Sequence, residues 1–251
     1  MISPVPGAPW VVRPFQKPAA TSRLFCFPFA GGGASAYFQW ARDLSTSSIE
    51  VCAIQLPGRE NRLREKPVSS ASDLIDSLHD GIQPLLDRPF SFFGHSMGAM
   101  LAFELSHALR STARTQPTAL FLSGSKPPHS ICTEATLNHL PDKEFVAAIA
   151  ERYQAVPKEI LNQPDLLELS LPKLRADFTL IEGYSCETRD PLDIPFWIFG
   201  GDSDPTVPVS LLYNWTEYTK NSSTVQIFPG DHFFLNSARA EVLKSVVRNL
   251  S

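Results

Sequence analysis

The sequence predicts an α/β fold, a mostly parallel central sheet with helices on both faces, and three observations carry that prediction. Short apolar runs alternate with stretches of helical periodicity along most of the chain. Several of those runs open directly into turns rich in Gly, Asp and Pro, as parallel strands do at their C-terminal ends. At 251 residues, 43% of them hydrophobic, the chain can bury one large core, and residues 1–251 are expected to form a single domain.

The strand-like runs lie at 24–27, 49–54, 90–93, 118–122, 196–199 and 224–228, and the helical stretches near 37–44, 71–86, 97–110, 209–219 and 238–249. The rhythm breaks between 125 and 191, where no convincing strand occurs and Pro141, Pro157 and Pro164 stand near helix starts. That segment is too long for a loop in a compact domain, so an inserted helical lid is expected there. Within it Leu167, Leu171, Leu174, Phe178 and Ile181 recur at helical spacing, which suits packing on the body and equally the lining of an acyl tunnel. Pro172 falls inside the pattern and should bend or break the helix.

The chemistry starts at Gly94-His95-Ser96-Met97-Gly98, between the run at 90–93 and a helical stretch. A serine at the apex of such a strand-turn-helix is held in a strained backbone conformation with its hydroxyl above the sheet edge. The two flanking glycines omit the Cβ atoms that would collide where strand and helix cross. Ser96 is therefore a candidate nucleophile. In an α/β-hydrolase arrangement the acid and the histidine follow in that order on loops after later strands. The run at 196–199 leads into Gly201-Asp202-Ser203-Asp204-Pro205, and the run at 224–228 into Pro229-Gly230-Asp231-His232-Phe233-Phe234. His232 is the expected base. The acid is Asp204 or Asp202; spacing favours Asp204, with Pro205 pinning the loop behind it, while Asp202 could cap the turn.

An oxyanion hole needs two amides, one from the residue after the nucleophile and one from a loop near the start of the sheet. Met97 supplies the first. Phe29 is favoured for the second, with Ala30 the near alternative, because the run at 24–27 opens into Phe29-Ala30-Gly31-Gly32-Gly33. The glycine run lacks a following Gly-Lys-Ser or Gly-Lys-Thr, which sets a phosphate loop aside.

Six segments taken together give the chain a family resemblance: Phe27-Pro28-Phe29-Ala30-Gly31-Gly32, Gln55-Leu56-Pro57-Gly58-Arg59-Glu60, Gly94-His95-Ser96-Met97-Gly98, Leu174-Arg175-Ala176-Asp177-Phe178, Gly201-Asp202-Ser203-Asp204-Pro205 and Gly230-Asp231-His232-Phe233-Phe234-Leu235. In order and spacing it resembles the type II thioesterases, free-standing α/β-hydrolases that serve nonribosomal peptide and polyketide synthases and are similar to the medium-chain acyl thioesterases of fatty acid synthesis. The resemblance implies hydrolysis of an acyl or aminoacyl group from the phosphopantetheine arm of an acyl or peptidyl carrier protein. It also implies a triad of Ser96, Asp204 and His232 with oxyanion donors Phe29 and Met97. Asp231 stands where the family commonly has glycine, a departure with no expected effect on catalysis.

Other classes fit less well. A carboxylesterase or an acyltransferase would use the same residues, and a non-catalytic carrier-binding subunit would not need an intact triad. Four cysteines without a Cys-x-x-Cys pair argue against a metal site or a disulfide framework, and no cofactor is expected. A net charge of −4 gives no field for nucleic acid and no global attraction for an acidic carrier. No apolar stretch is long enough to span a membrane, and the N-terminus, with Pro4, Pro6 and Pro9, lacks the pattern of a signal peptide, so a cytoplasmic monomer is expected. The charged segment from Arg59 to Lys66 follows a strand and is read as mostly solvated, with contact to the carrier or its phosphate as the alternative reading.

Overall fold

The computed structural model describes residues 9–112, 115–131, 136–153 and 164–250, with only the backbone of Ile131 and Pro164 among them; Pro4, Pro6 and Pro157 lie outside. Seven strands form one sheet: β1 (Val11–Val12), β2 (Ser22–Phe27), β3 (Ile49–Ile54), β4 (Phe90–His95), β5 (Leu120–Ser123), β6 (Phe196–Gly201) and β7 (Ser223–Phe228). They lie in the order β1-β3-β2-β4-β5-β6-β7. Only β1 is antiparallel to its neighbour; all other pairings are parallel. β1 was not expected from the sequence: two residues between prolines carry no period, and the strand exists because Val11 and Val12 pair with Ile54 and Ala53.

The apolar runs are continuous because both faces of the sheet are covered. Along β2, Phe25 and Phe27 join one core with Phe92, Met100 and Trp215, whereas Leu24 and Cys26 join the other with Trp40, Phe93 and Val246. The first core is closed by α2 (Ala71–Ile82) and α3 (Met97–Thr112), the second by α1 (Phe38–Asp43) and α9 (Arg239–Arg248). α2 starts where the Ser70 hydroxyl accepts the Asp73 amide, and it buries Leu74, Leu78 and Ile82 along one stripe. Its expected continuation to 86 is a 3₁₀ turn, Gln83–Leu85, since Pro84 has no amide to donate. The helix expected at 209–219 likewise divides into α7 (Val209–Leu212) and a 3₁₀ turn, Tyr213–Tyr218.

Between β5 and β6 the described chain forms three helices: α4 (Pro128–Ile131), α5 (Asp142–Tyr153) and α6 (Pro164–Glu182). α5 and α6 share a core of their own, built on Phe145, Ile149, Leu174 and Phe178. Pro172 does not break α6, which runs through it without interruption. Its ring and Glu168, whose carbonyl loses its partner, are both exposed, so water can satisfy that oxygen. Packing of Leu174 and Phe178 on the next turns holds the axis. After β7 a short helix α8 (Phe234–Ser237) leads into α9.

Candidate active site

Parallel strands end at one edge of the sheet, and the loops after β2, β4, β6 and β7 meet there. Ser96 follows β4 directly with φ +54°, and its amide donates to the Ser123 carbonyl of β5 at 2.8 Å. Apart from Glu60 it is the one non-glycine residue with positive φ among those described. The strain is sustained by the glycines on either side. A Cβ on Gly94 would strike the Gly98 backbone, and one on Gly98 would strike the carbonyl of Phe27 on β2.

The two carboxylates of the loop after β6 separate clearly. Oδ2 of Asp204 accepts from Nδ1 of His232 at 2.7 Å, while its Oδ1 accepts the amides of Thr206 and Val207 at 2.8 and 3.2 Å and the Thr206 hydroxyl at 2.7 Å. Burial of Asp204 disfavours its charge, but the hydrogen bonds from His232 and Thr206 outweigh it and hold the carboxyl below the usual range. Asp202 instead accepts the Gly230 amide and the Ser203 hydroxyl, closing the turn between β6 and β7. The Asx-type role expected for Asp202 is thus partly shared by Asp204, one oxygen of which caps its own loop while the other reaches His232. Nε2 of His232 is buried and without a protein partner among the described residues.

Ser96 and His232 line a common cavity of about 130 Å³ with Phe29 and Met97. The rest of its wall is mostly apolar, with Met100 of α3, Ile149 and Tyr153 of α5, and Leu174, Phe178 and Ile181 of α6, and it also carries the charged residues Lys126, Arg152 and Glu182. Of the stripe on α6, then, Leu174, Phe178 and Ile181 face the cavity, while Leu167 and Leu171 pack within the helical layer. The Phe29 ring packs edge-on against Phe233 with centroids 5.0 Å apart, which ties the loop after β2 to the loop carrying His232.

Three further residues surround His232, and two of them, Thr206 and Tyr153, were not expected from the sequence. Thr206 touches both His232 Nδ1, at 3.0 Å, and Asp204, and the signal for it was its place two residues after the acid in a turn. Tyr153 lays its ring 5.6 Å from that of His232, a contact across the helical segment that no local pattern reveals. His95 is fully buried, donates or accepts through Nδ1 with Ser123 Oγ at 3.0 Å, and lies 5.1 Å from the His232 ring. Burial first, then the neighbouring His232, pushes its pKa well down, so it stays neutral and does not oppose a charge on His232.

The charged segment after β3 is not a solvated loop at its two leading arginines. Arg59 is buried and forms a bidentate pair with Asp177 of α6, and Arg62 is buried against the Trp10 ring while donating to Gln55 and Glu65. Arg64 and Lys66 are exposed. No group of three or more His, Cys, Asp or Glu among the described residues could hold a metal ion, and none of the described helices is long and apolar enough to cross a membrane.

The family model for the thioesterase domain matches residues 22–250. The chain belongs to the thioesterase family. This thioesterase is similar to the gramicidin S biosynthesis protein GrsT of Aneurinibacillus migulanus, with 38% identity over 241 residues, 96% of this chain and 93% of that protein. It is also similar to the thioesterase PikA5 of Streptomyces venezuelae, 31% identical over 96% of this chain and 85% of that one. Among solved structures, the type II thioesterase BorB from the borrelidin biosynthetic cluster superposes with a TM-score of 0.88 at 31% identity, covering 96% of this chain and 98% of that chain. The α/β-hydrolase fold expected from the sequence agrees with these neighbours.

Proposed function

We propose that this thioesterase hydrolyses acyl or aminoacyl thioesters on the phosphopantetheine arm of a carrier protein, with Ser96 as nucleophile, His232 as base and Asp204 as its orienting acid. The observation that carries the reading is the Asp204–His232 hydrogen bond at 2.7 Å, made in the cavity that Ser96 also lines. Asp204 is held ionised, so it accepts from Nδ1–H and leaves Nε2 as the basic nitrogen. His232 takes the Ser96 proton as Oγ attacks the thioester carbonyl, and the amides of Phe29 and Met97 receive the oxyanion. The C–S bond then breaks, and His232 returns the proton to the departing pantetheine sulfur and is again a neutral base. A thiol of pKa about 8.5 leaves without needing full protonation, which is why a thioester asks less of the histidine than an ester does. Water, deprotonated by His232, releases the acid from Ser96 and regenerates the site.

The helical segment between β5 and β6 acts as a lid whose inner wall, at Ile149, Leu174 and Phe178, takes the acyl group. Similarity to proteins named for gramicidin S and borrelidin biosynthesis supports a carrier of such a biosynthetic system as the donor. The test compares one acyl group on a holo carrier protein and on N-acetylcysteamine. Carrier contacts should raise kcat/KM for the protein-bound substrate, because binding energy remote from the thioester positions it over Ser96. Equal kcat/KM on the two would favour a general esterase.

A further inference from the structure

We propose that Asp177 and Arg59 are positioning residues for the oxyanion loop, and that through them the seating of the lid helix α6 sets the placement of the Phe29 amide. The inference rests on the oxyanion role proposed above for Phe29. Asp177 is 1% exposed and Arg59 2%. Oδ2 of Asp177 accepts the Gly31 amide at 2.7 Å and Nη1 of Arg59 at 2.9 Å, and Oδ1 accepts Nη2 of Arg59 at 2.7 Å. Nη1 of Arg59 also donates to the Gly32 carbonyl at 3.0 Å. The loop is thereby gripped at one amide and one carbonyl within three residues of Phe29, and the Gly32 amide closes the turn back onto the Phe29 carbonyl at 2.9 Å.

The rest of the loop is held from β3 and its exit. Gln55 accepts the Ala34 amide at 2.8 Å and donates to the Arg59 carbonyl at 2.8 Å, and Glu60 accepts the Ser35 hydroxyl at 2.6 Å. α6 contributes one more contact. Gly31 has φ +76°, and a Cβ there would lie 2.7 Å from Cδ2 of Leu174, so the helix rests directly on the loop. A buried ion pair is a poor way to gain stability, because desolvation offsets the attraction. A rigid fork, however, can fix an amide and a carbonyl of another segment at once, as an apolar pair cannot. Among the hydrogen bonds to this loop given above, those of Asp177 come from the lid, so displacement of α6 would release the Gly31 amide and one side of Arg59 together.

The experiment measures Asp177→Asn and Arg59→Lys for kcat, for KM and for the affinity of an alkyl boronic acid that adds reversibly to Ser96 and places a boronate oxygen in the oxyanion hole. Thermal unfolding is recorded alongside. For Asp177→Asn, kcat should fall by about 10- to 100-fold, short of the loss from deleting a donor outright, with KM within about twofold and the boronate weakened by the same factor as kcat. A role in folding alone would reduce the active fraction and leave the boronate affinity unchanged, and that result would overturn the proposal. So would kcat within twofold of the parent in Asp177→Asn. Should Asp177→Asn not fold, Arg59→Lys decides, because it keeps the buried charge and loses only the fork. Ser96→Ala, measured in parallel, separates the two readings: turnover in that variant removes the catalytic assignment beneath the proposal, whereas an inert Ser96→Ala beside a fully active Asp177→Asn removes the proposal alone.

Discussion

At the scale of single residues the loop after β6 shows how two neighbouring carboxylates acquire different work. Asp204 is enclosed, takes three hydrogen bonds on one oxygen and one from His232 on the other, and stays ionised although burial opposes it. Asp202 is exposed and pins the Gly230 turn. Asp204→Asn should therefore cost about 10⁴ in kcat, since the amide leaves the histidine in the wrong tautomer, while Asp202→Asn should leave kcat within about tenfold. Steady-state kinetics on an acyl thioester checks both, and the reverse ranking would move the role to Asp202. The depressed carboxyl also has a consequence for stability. The contribution of Asp204 is present above its unfolded pKa of about 3.9 and is lost as pH falls through the lower folded value.

Elements carry the next layer of function. α6 places Leu174 and Phe178 where they are shared between the helical core and the cavity, and Phe178 packs edge-on to Phe145 with centroids 5.5 Å apart. Phe178→Ala should deepen the cavity and shift the preference toward longer acyl groups by about tenfold or more in relative kcat/KM, read from a chain-length series of thioesters. An unchanged preference would take Phe178 out of the acyl-binding wall. α3 carries a second test through His107, which packs edge-on against Phe103 and accepts from Arg110 at 3.1 Å. Burial, then the charges of Arg189 and Arg110, pushes its pKa down to about 3. Between that value and about 6.5 the unfolded chain binds a proton that the native chain does not, so stability rises with pH across this window, by up to about 1.4 kcal/mol per unit. His107→Gln should flatten the slope by up to one proton in denaturant titrations between pH 4 and 6.5. An identical slope would show that His107 titrates normally in the fold.

The sequence made the strands and the site order legible because each rests on local pattern. Continuous apolar runs marked six of the seven strands, and the order serine, acid, histidine followed from which loops terminate them. What stayed hidden depends on partners far away in the chain. Arg59 reads as a surface charge until Asp177, 118 residues on, is brought against it, and Arg62 until Trp10 covers it. Tyr153 likewise reaches His232 only through the packing of α5.

At the scale of the whole molecule, the described residues join a sheet-centred body to a helical layer. Two cores flank the sheet and hold the strand ends that carry Ser96, Asp204 and His232, while a third, separate core belongs to α5 and α6 over the cavity. With a net charge of −4, recognition of an acidic carrier has to come from local contacts. On the function proposed above, this chain removes acyl groups from a carrier's pantetheine thiol through Ser96. Intact-protein mass spectrometry of an acylated holo carrier, incubated with the thioesterase or with its Ser96→Ala variant, tests it most directly. The parent enzyme should shift the carrier to the mass of the free thiol form, while Ser96→Ala should leave the acylated mass in place. A carrier that keeps its acyl group with the parent enzyme, or loses it equally fast with Ser96→Ala, would contradict the account.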